Sequence, residues 1–285
     1  MDALFGPFVE FEFMRRALVA TLAMSLGATP IGCLLILRRM SLVGDAMAHA
    51  VLPGAAAGYL LAGMSLVAMS LGGLVAALLV VLASGVVSRR TPQREDASVA
   101  AFYIIALALG VLLVSLKGSP VDVMHLLFGS VLAVDDAALL QMALVATVTL
   151  LSLAVMYRPL LLESFDPGFL RSLQGPGAWA HMALMVLLVL NLVSAFQAMG
   201  TLMGVGLMML PGLAARFWVA GLGAMFVLSA VIGVFAGGLG LLLSYHLELP
   251  SGPSVVLVCG GVYVLSVLFG RREGLLMRRP ADRSS

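Results

Sequence analysis

Met40-Ser-Leu-Val-Gly-Asp-Ala-Met-Ala-His-Ala-Val-Leu-Pro53 places one carboxylate, Asp45, and one imidazole, His49, inside a run that otherwise reads as a membrane-spanning helix. A charged side chain near the centre of such a helix costs about 2.5–3.5 kcal/mol on insertion scales, so the pair needs a reason to be there. At i and i+4 the two side chains share one helical face with Cβ atoms about 6 Å apart, close enough to hold a single ion between them. Pro53 has no N–H to offer the carbonyl of His49, which is therefore freed at the same level of the helix; a kink is expected there.

The chain around this stretch is 285 residues long, 62% hydrophobic and 11% charged, with a mean hydropathy of +1.12. That composition belongs to a membrane protein. Its apolar runs are continuous over about twenty residues, which excludes a β-barrel, whose strands alternate over about ten. A net charge of +2 gives no reason to expect nucleic acid as a partner. Met1 to Phe13 carries Asp2, Glu10 and Glu12 without a basic n-region, so it does not read as a signal peptide. Cys33 and Cys259 lie far apart within apolar runs and read as small buried residues.

Apolar runs between charged or Pro/Gly breaks predict an all-α polytopic protein with about nine spans (eight to ten), near 16–37, 42–62, 64–87, 98–116, 137–156, 179–196, 199–217, 221–245 and 254–270. Residues 1–15 read as a segment at the membrane surface, 16–270 as the membrane domain and 271–285 as a cytoplasmic tail. With the N-terminus outside, Arg38, Arg39, Arg89, Arg90, Arg94, Arg158, Arg171, Arg216, Arg271, Arg272, Arg278, Arg279 and Arg283 face the cytoplasm. Only Arg15, Arg16 and Lys117 fall outside. The spacings Gly54/Gly58, Gly200/Gly204 and Gly233/Gly237 predict close helix packing, and Gly200 to Gly206 lacks the lysine and strand of a phosphate loop.

Two ligands from one helix are too few for a transition metal, which commonly takes four or more. Two copies facing across a two-fold axis supply two Asp and two His, so metal transit predicts a homodimer with its pathway on the axis. An Asp–His pair that orients the helix or relays protons stands beside that reading on spacing alone. The loop 157–178 is the longest cytoplasmic connection; Asp166 as N-cap and Pro167 at N1 predict a short helix, with Phe165, Phe169, Leu170 and Leu173 offered to a partner or to the lipid interface. Glu95 and Asp96 suit the start of the fourth span. His125 falls in the external stretch, His181 and His246 at span ends where an imidazole meets water, and Asn191 where it can bond between helices.

Arg38 to Gly54 closely resembles the signature of the metal-ion family of ABC importer permeases, which handle zinc, manganese or iron. Leu127 to Leu132, Ser164-Phe-Asp-Pro167, Gly200 to Pro211 and Ser244 to Gly252 agree with it in order, from about residue 14 to 270. The resemblance implies a homodimeric inner-membrane permease that sits on two cytoplasmic ATPases and receives metal from an extracytoplasmic binding protein. It places ion ligands on Asp45 and His49. It places ATPase coupling on Ser164, Phe165, Asp166, Pro167, Phe169, Leu170 and Arg171. The metal is then transported, most readily zinc or manganese, with no cofactor permanently bound. Transport is expected to weaken in acid, because ligands must be deprotonated. The sequence holds neither a Walker A motif nor HExxH, so ATP hydrolysis falls to a separate chain. The rival readings are a proton-coupled secondary transporter, with Asp45 and His49 as relay, and a permease for a metal chelate.

Overall fold

The computed structural model describes residues 2–63, 65–117, 134–165, 177–272 and 274–277. Among them the chain is all helical: α1 (Asp2–Glu10), α2 (Glu12–Leu37), α3 (Ser41–Ala62), α4 (Leu66–Arg90), α5 (Glu95–Lys117), α6 (Asp136–Phe165), α7 (Gly177–Met199), α8 (Thr201–Arg216), α9 (Leu222–Leu247) and α10 (Ser251–Phe269). Each of the nine apolar runs is occupied by one of the helices α2 to α10. Seven are long and apolar enough to cross a membrane, and the exceptions are α3 and α8. α8 is short, at 16 residues. α3 has the length, at 22 residues, but its hydropathy is lowered by Ser41, Asp45 and His49.

The chain's own caps set several ends. Ser65 accepts the Ala68 N–H at the start of α4, and Asp135 accepts the Ala138 N–H at the start of α6. Glu248, in the left-handed conformation at φ 53°, ends α9. α6 corrects one sequence expectation. It does not stop near Met156 but continues through Pro159 to Phe165, so the first nine residues of the expected 157–178 loop are helical. Leu160 is buried and Tyr157 meets Phe226 edge to face, so packing outweighs the hydrogen bond that Pro159 forgoes.

α2 and α7 form the centre. In their most apolar windows 78% and 67% of residues are buried, against 22% for α5, α6 and α10, whose faces are left to lipid. α2 packs against α6, α8 and α9, while α3 is held between α4 and α5. Glycine makes the closest approaches. A Cβ on Gly54 would stand 2.0 Å from the Gly72 carbonyl oxygen, one on Gly58 2.3 Å from that of Ala68, and one on Gly32 2.0 Å from that of Met208. Gly233 and Gly237 admit Ser25 and Thr21 of α2 in the same way.

Some of the buried polar groups pair between helices. Asn191 of α7 donates to Thr149 Oγ1 of α6 at 2.7 Å, as expected from the sequence. Cys33 donates to Ser229 across the α2–α9 seam, and both it and Cys259 are buried free thiols.

Candidate metal-ion site

α3 begins immediately after a three-residue turn, Arg38 to Met40, in which Arg39 takes the left-handed conformation at φ 58°. Bonds from the Arg38, Arg39 and Met40 N–H groups back to Leu34, Ile36 and Leu35 tie that turn to the end of α2. One face of α3 is buried against its neighbours, from Val43 and Met47 to Val51 and Ala55. The opposite face carries Leu42 and Asp45, and the Asp45 side chain is 65% exposed. A carboxylate left open on the flank of an apolar helix is costly wherever lipid would cover it.

His49 Nε2 lies 3.8 Å from Asp45 Oδ1. That distance is too long for a hydrogen bond. It suits a shared ion: at about 2.1 Å from each donor, one metal would subtend an angle of about 130° between them. The imidazole is held by Tyr103 of α5, which stacks on it with ring centroids 6.3 Å apart and planes 28° from parallel. His49 Nδ1 is turned inward, buried and without a hydrogen-bond partner, so Nε2 is the nitrogen presented with Asp45. α3 runs unbroken through Pro53, against which Gly110 of α5 packs; a Cβ there would stand 2.9 Å from the proline Cα. Among the described residues no group of three or more His, Cys, Asp or Glu side chains converges. At this site the described residues of one chain bring together two such side chains.

A second polar cluster lies at the end of the molecule where α2 finishes. Arg38 Nε donates to Ser164 Oγ at 3.1 Å, and its Nη1 donates to His181 Nδ1 at 2.9 Å. His181 Nε2 lies 2.6 Å from Glu95 Oε1. Burial draws the Arg38 guanidinium below its ordinary pKa, and Glu163 and then Glu95 oppose that shift. This corrects two sequence expectations. His181 is not an imidazole meeting water but a half-buried link, and Glu95, although it opens α5, also has its carboxylate committed to His181. The loops carrying these residues are those that arginine counting assigned to the cytoplasm, and they meet at one end. At the other end Arg16 pairs with Glu12 at 2.8 Å and Asp136 at 3.0 Å, so this exception to the charge rule has local partners.

Of the residues expected to couple to an ATPase, Ser164 and the backbone of Phe165 close α6. Asp166, Pro167, Phe169, Leu170 and Arg171 lie outside the described residues, as does His125. His246 is exposed, bonded to the Leu242 carbonyl and against Tyr245, with no metal-ligating neighbour among the described residues. Tyr103 and Arg38 escaped sequence reasoning. An aromatic in an apolar run carries no polar signal, and Arg38 was absorbed into the count of cytoplasmic charge.

Residues 10–270 match the ABC 3 transport family. The chain is 34% identical to the "Manganese transport system membrane protein MntC" of Halalkalibacterium halodurans, over 96% of this chain and 93% of that one. It is 29% identical to the "Chelated iron transport system membrane protein YfeD" of Yersinia pestis, over 99% and 94%. Among solved structures it resembles PsaBC from Streptococcus pneumoniae in complex with Fab, with a TM-score of 0.83, 31% identity and coverage of 95% and 96%. The chain belongs to the ABC 3 transport family: it is a multi-pass permease of the bacterial cytoplasmic (inner) membrane, of the metal-ion ABC transporter kind.

Proposed function

We propose that this chain is the membrane subunit of an ATP-driven importer of divalent transition metal, manganese ahead of zinc or iron, and that it works as a homodimer of about nine spans per copy. The observation that carries the reading is the Asp45–His49 pair: two deprotonatable donors 3.8 Å apart on the open face of α3. A second copy across a two-fold axis would bring the set to two carboxylates and two imidazoles, a donor mixture that suits manganese, zinc and ferrous iron alike. The relatives named for manganese give that ion precedence. The ion is cargo, so the site must release it as well as hold it, and a shell shared between two moving copies can do both.

In this reading Tyr103 orients His49, and the carbonyl freed by Pro53 offers a further oxygen at the same level. ATP is hydrolysed by a separate cytoplasmic ATPase dimer that meets the permease around Ser164 to Arg171, and an extracytoplasmic binding protein delivers the ion. Direct proton relay is less well supported, since relay between Asp45 and His49 requires a hydrogen bond and 3.8 Å is not one.

Equilibrium binding of Mn2+ to the purified homodimer is the test. His49→Ala is expected to weaken binding by at least about tenfold, as does loss of a metal ligand or its support elsewhere. Asp45→Asn keeps the shape but not the charge and should do the same. Unchanged binding in both variants would remove the ligand assignment.

A further inference from the structure

We propose that Arg38 is a positioning residue of the transport cycle: it carries displacement of the α6 and α7 ends to the turn that starts α3, and so to Asp45 and His49. The inference rests on the reading of this chain as an ATP-driven permease.

Four parts of the chain converge on this side chain. Ser164 is in the last turn of α6, His181 in the first turns of α7, Glu95 opens α5, and Arg38 itself closes α2. A guanidinium only donates, so His181 Nδ1 must accept. Its Nε2 then carries the proton and donates to Glu95, which fixes the ring in one tautomer. Ser164 accepts from Arg38 while donating to the Leu160 carbonyl at 2.6 Å. Each link therefore has one direction, and each partner stands on a different helix.

The turn from α2 to α3 transmits what Arg38 receives. Only Arg39 and Met40 separate Arg38 from α3, and their N–H groups are bonded into the end of α2. Asp45 follows one helical turn into α3, about 6 Å along its axis from Ser41. These bonds make Arg38, Arg39 and Met40 one unit with the last turn of α2, so a pull on Arg38 moves that unit and the start of α3 with it.

The cluster also contains the parts for a second bonding arrangement. Arg38 Nη2 and Glu163 Oε2 are both buried with no hydrogen-bond partner among the described residues. Glu163 is the residue before Ser164, and its charge already acts on Arg38. The unused donor and the unused acceptor form no ion pair in this arrangement, but their charges already interact, and they allow Arg38 to exchange Ser164 for Glu163 when the last turn of α6 rotates. Coupling between distant sites requires an element with two discrete arrangements of this kind.

The test uses the full chain purified with its cognate ATPase and reconstituted in vesicles, with radiolabelled Mn2+ as probe. Arg38→Gln is expected to lower uptake per ATP hydrolysed by about tenfold, while Mn2+ binding and hydrolysis stay within about threefold of wild type. His181→Gln supplies an amide oxygen to Arg38 and an amide N–H to Glu95, and should retain coupling; His181→Leu should reproduce Arg38→Gln. Undiminished uptake per ATP in Arg38→Gln overturns the proposal, as does parallel loss of Mn2+ binding and uptake, which marks a role in the ion site or in folding. If Arg38→Gln fails to assemble, normal coupling in His181→Leu overturns it instead. A wild-type complex that shows no ATP-driven uptake removes the proposed import of Mn2+ itself.

Discussion

Substituting Gly54 by alanine tests whether α3 and α4 move as one body. The added Cβ would lie 2.0 Å from the Gly72 carbonyl oxygen and 2.5 Å from its carbon, both backbone atoms that cannot swing aside. Relief to an ordinary contact near 3.4 Å requires α3 and α4 to part by about 1.4 Å. In a close-packed interior such overpacking costs about 1–3 kcal/mol. The native contact is lost as well: with the Cβ position 2.0 Å from the oxygen, the Gly54 Cα sits no more than about 3.5 Å from it, within reach of a Cα–H···O contact. The opposing substitution, Gly72→Ala, meets the Gly54 oxygen at 2.1 Å, so the two changes strain one interface.

The control is Gly85 in the same helix α4, where a Cβ would meet nothing within 4 Å. There alanine only removes backbone freedom and should be neutral or stabilising by up to about 1 kcal/mol. Thermal unfolding of the purified protein, followed by loss of the monodisperse peak, should place Gly54→Ala and Gly72→Ala below wild type and Gly85→Ala at or above it. The double variant should cost less than the sum of the singles, because the first separation of the helices makes room for the second methyl. Equal midpoints for Gly54→Ala and Gly85→Ala would refute the reasoning.

Tyr103→Ala removes the ring stacked on His49 and should weaken Mn2+ binding by about two- to tenfold, the worth of an aromatic contact, whereas Tyr103→Phe should bind like wild type; titration of both variants decides it. Asn191→Ala breaks the α6–α7 bond to Thr149 and should cost about 0.6–1.7 kcal/mol in a stability assay, the range for hydrogen bonds between membrane helices. Cys33 and Cys259 are both fully buried, so a water-soluble maleimide should label neither in the folded protein and both after denaturation, as read by mass spectrometry.

What could be read ahead of the structure was whatever depends on neighbours in sequence. Among the described residues each of the nine apolar runs is helical, seven of them in helices long and apolar enough to cross a membrane, because burying or lipid-embedding about twenty apolar residues leaves the backbone no other way to satisfy its hydrogen bonds. Asp45 and His49 were legible because they are expensive where they stand and four residues apart. Asn191 was legible for the same reason. α6 was cut short because Arg158-Pro159 reads as a stop in sequence, and only the packing of Tyr157 and Leu160 shows why the helix continues. The Arg38 cluster was not legible. Its partners lie 126 and 143 residues away, at helix ends where charge is cheap and gives no hint of commitment.

These two kinds of contact, one on each side of the α2–α3 turn, constrain how the Asp45–His49 pair can respond to the end of the molecule where Arg38 lies. Gly54 on Gly72 and Gly58 on Ala68 bring α3 onto α4 backbone to backbone, while Pro53 on Gly110 does the same toward α5. Contacts that close leave no room for α3 to slide against either neighbour by even a methyl width, so a displacement applied near Ser41 moves α3, α4 and α5 together rather than bending α3 alone. The stacked Tyr103 belongs to that same body and keeps the His49 ring facing Asp45 as it moves. Within one copy the 3.8 Å spacing of the pair is therefore conserved through such a motion. In the proposed dimer what changes is the distance from this open face to the second copy, the coordinate that such a carrier would vary to capture an ion and then let it go.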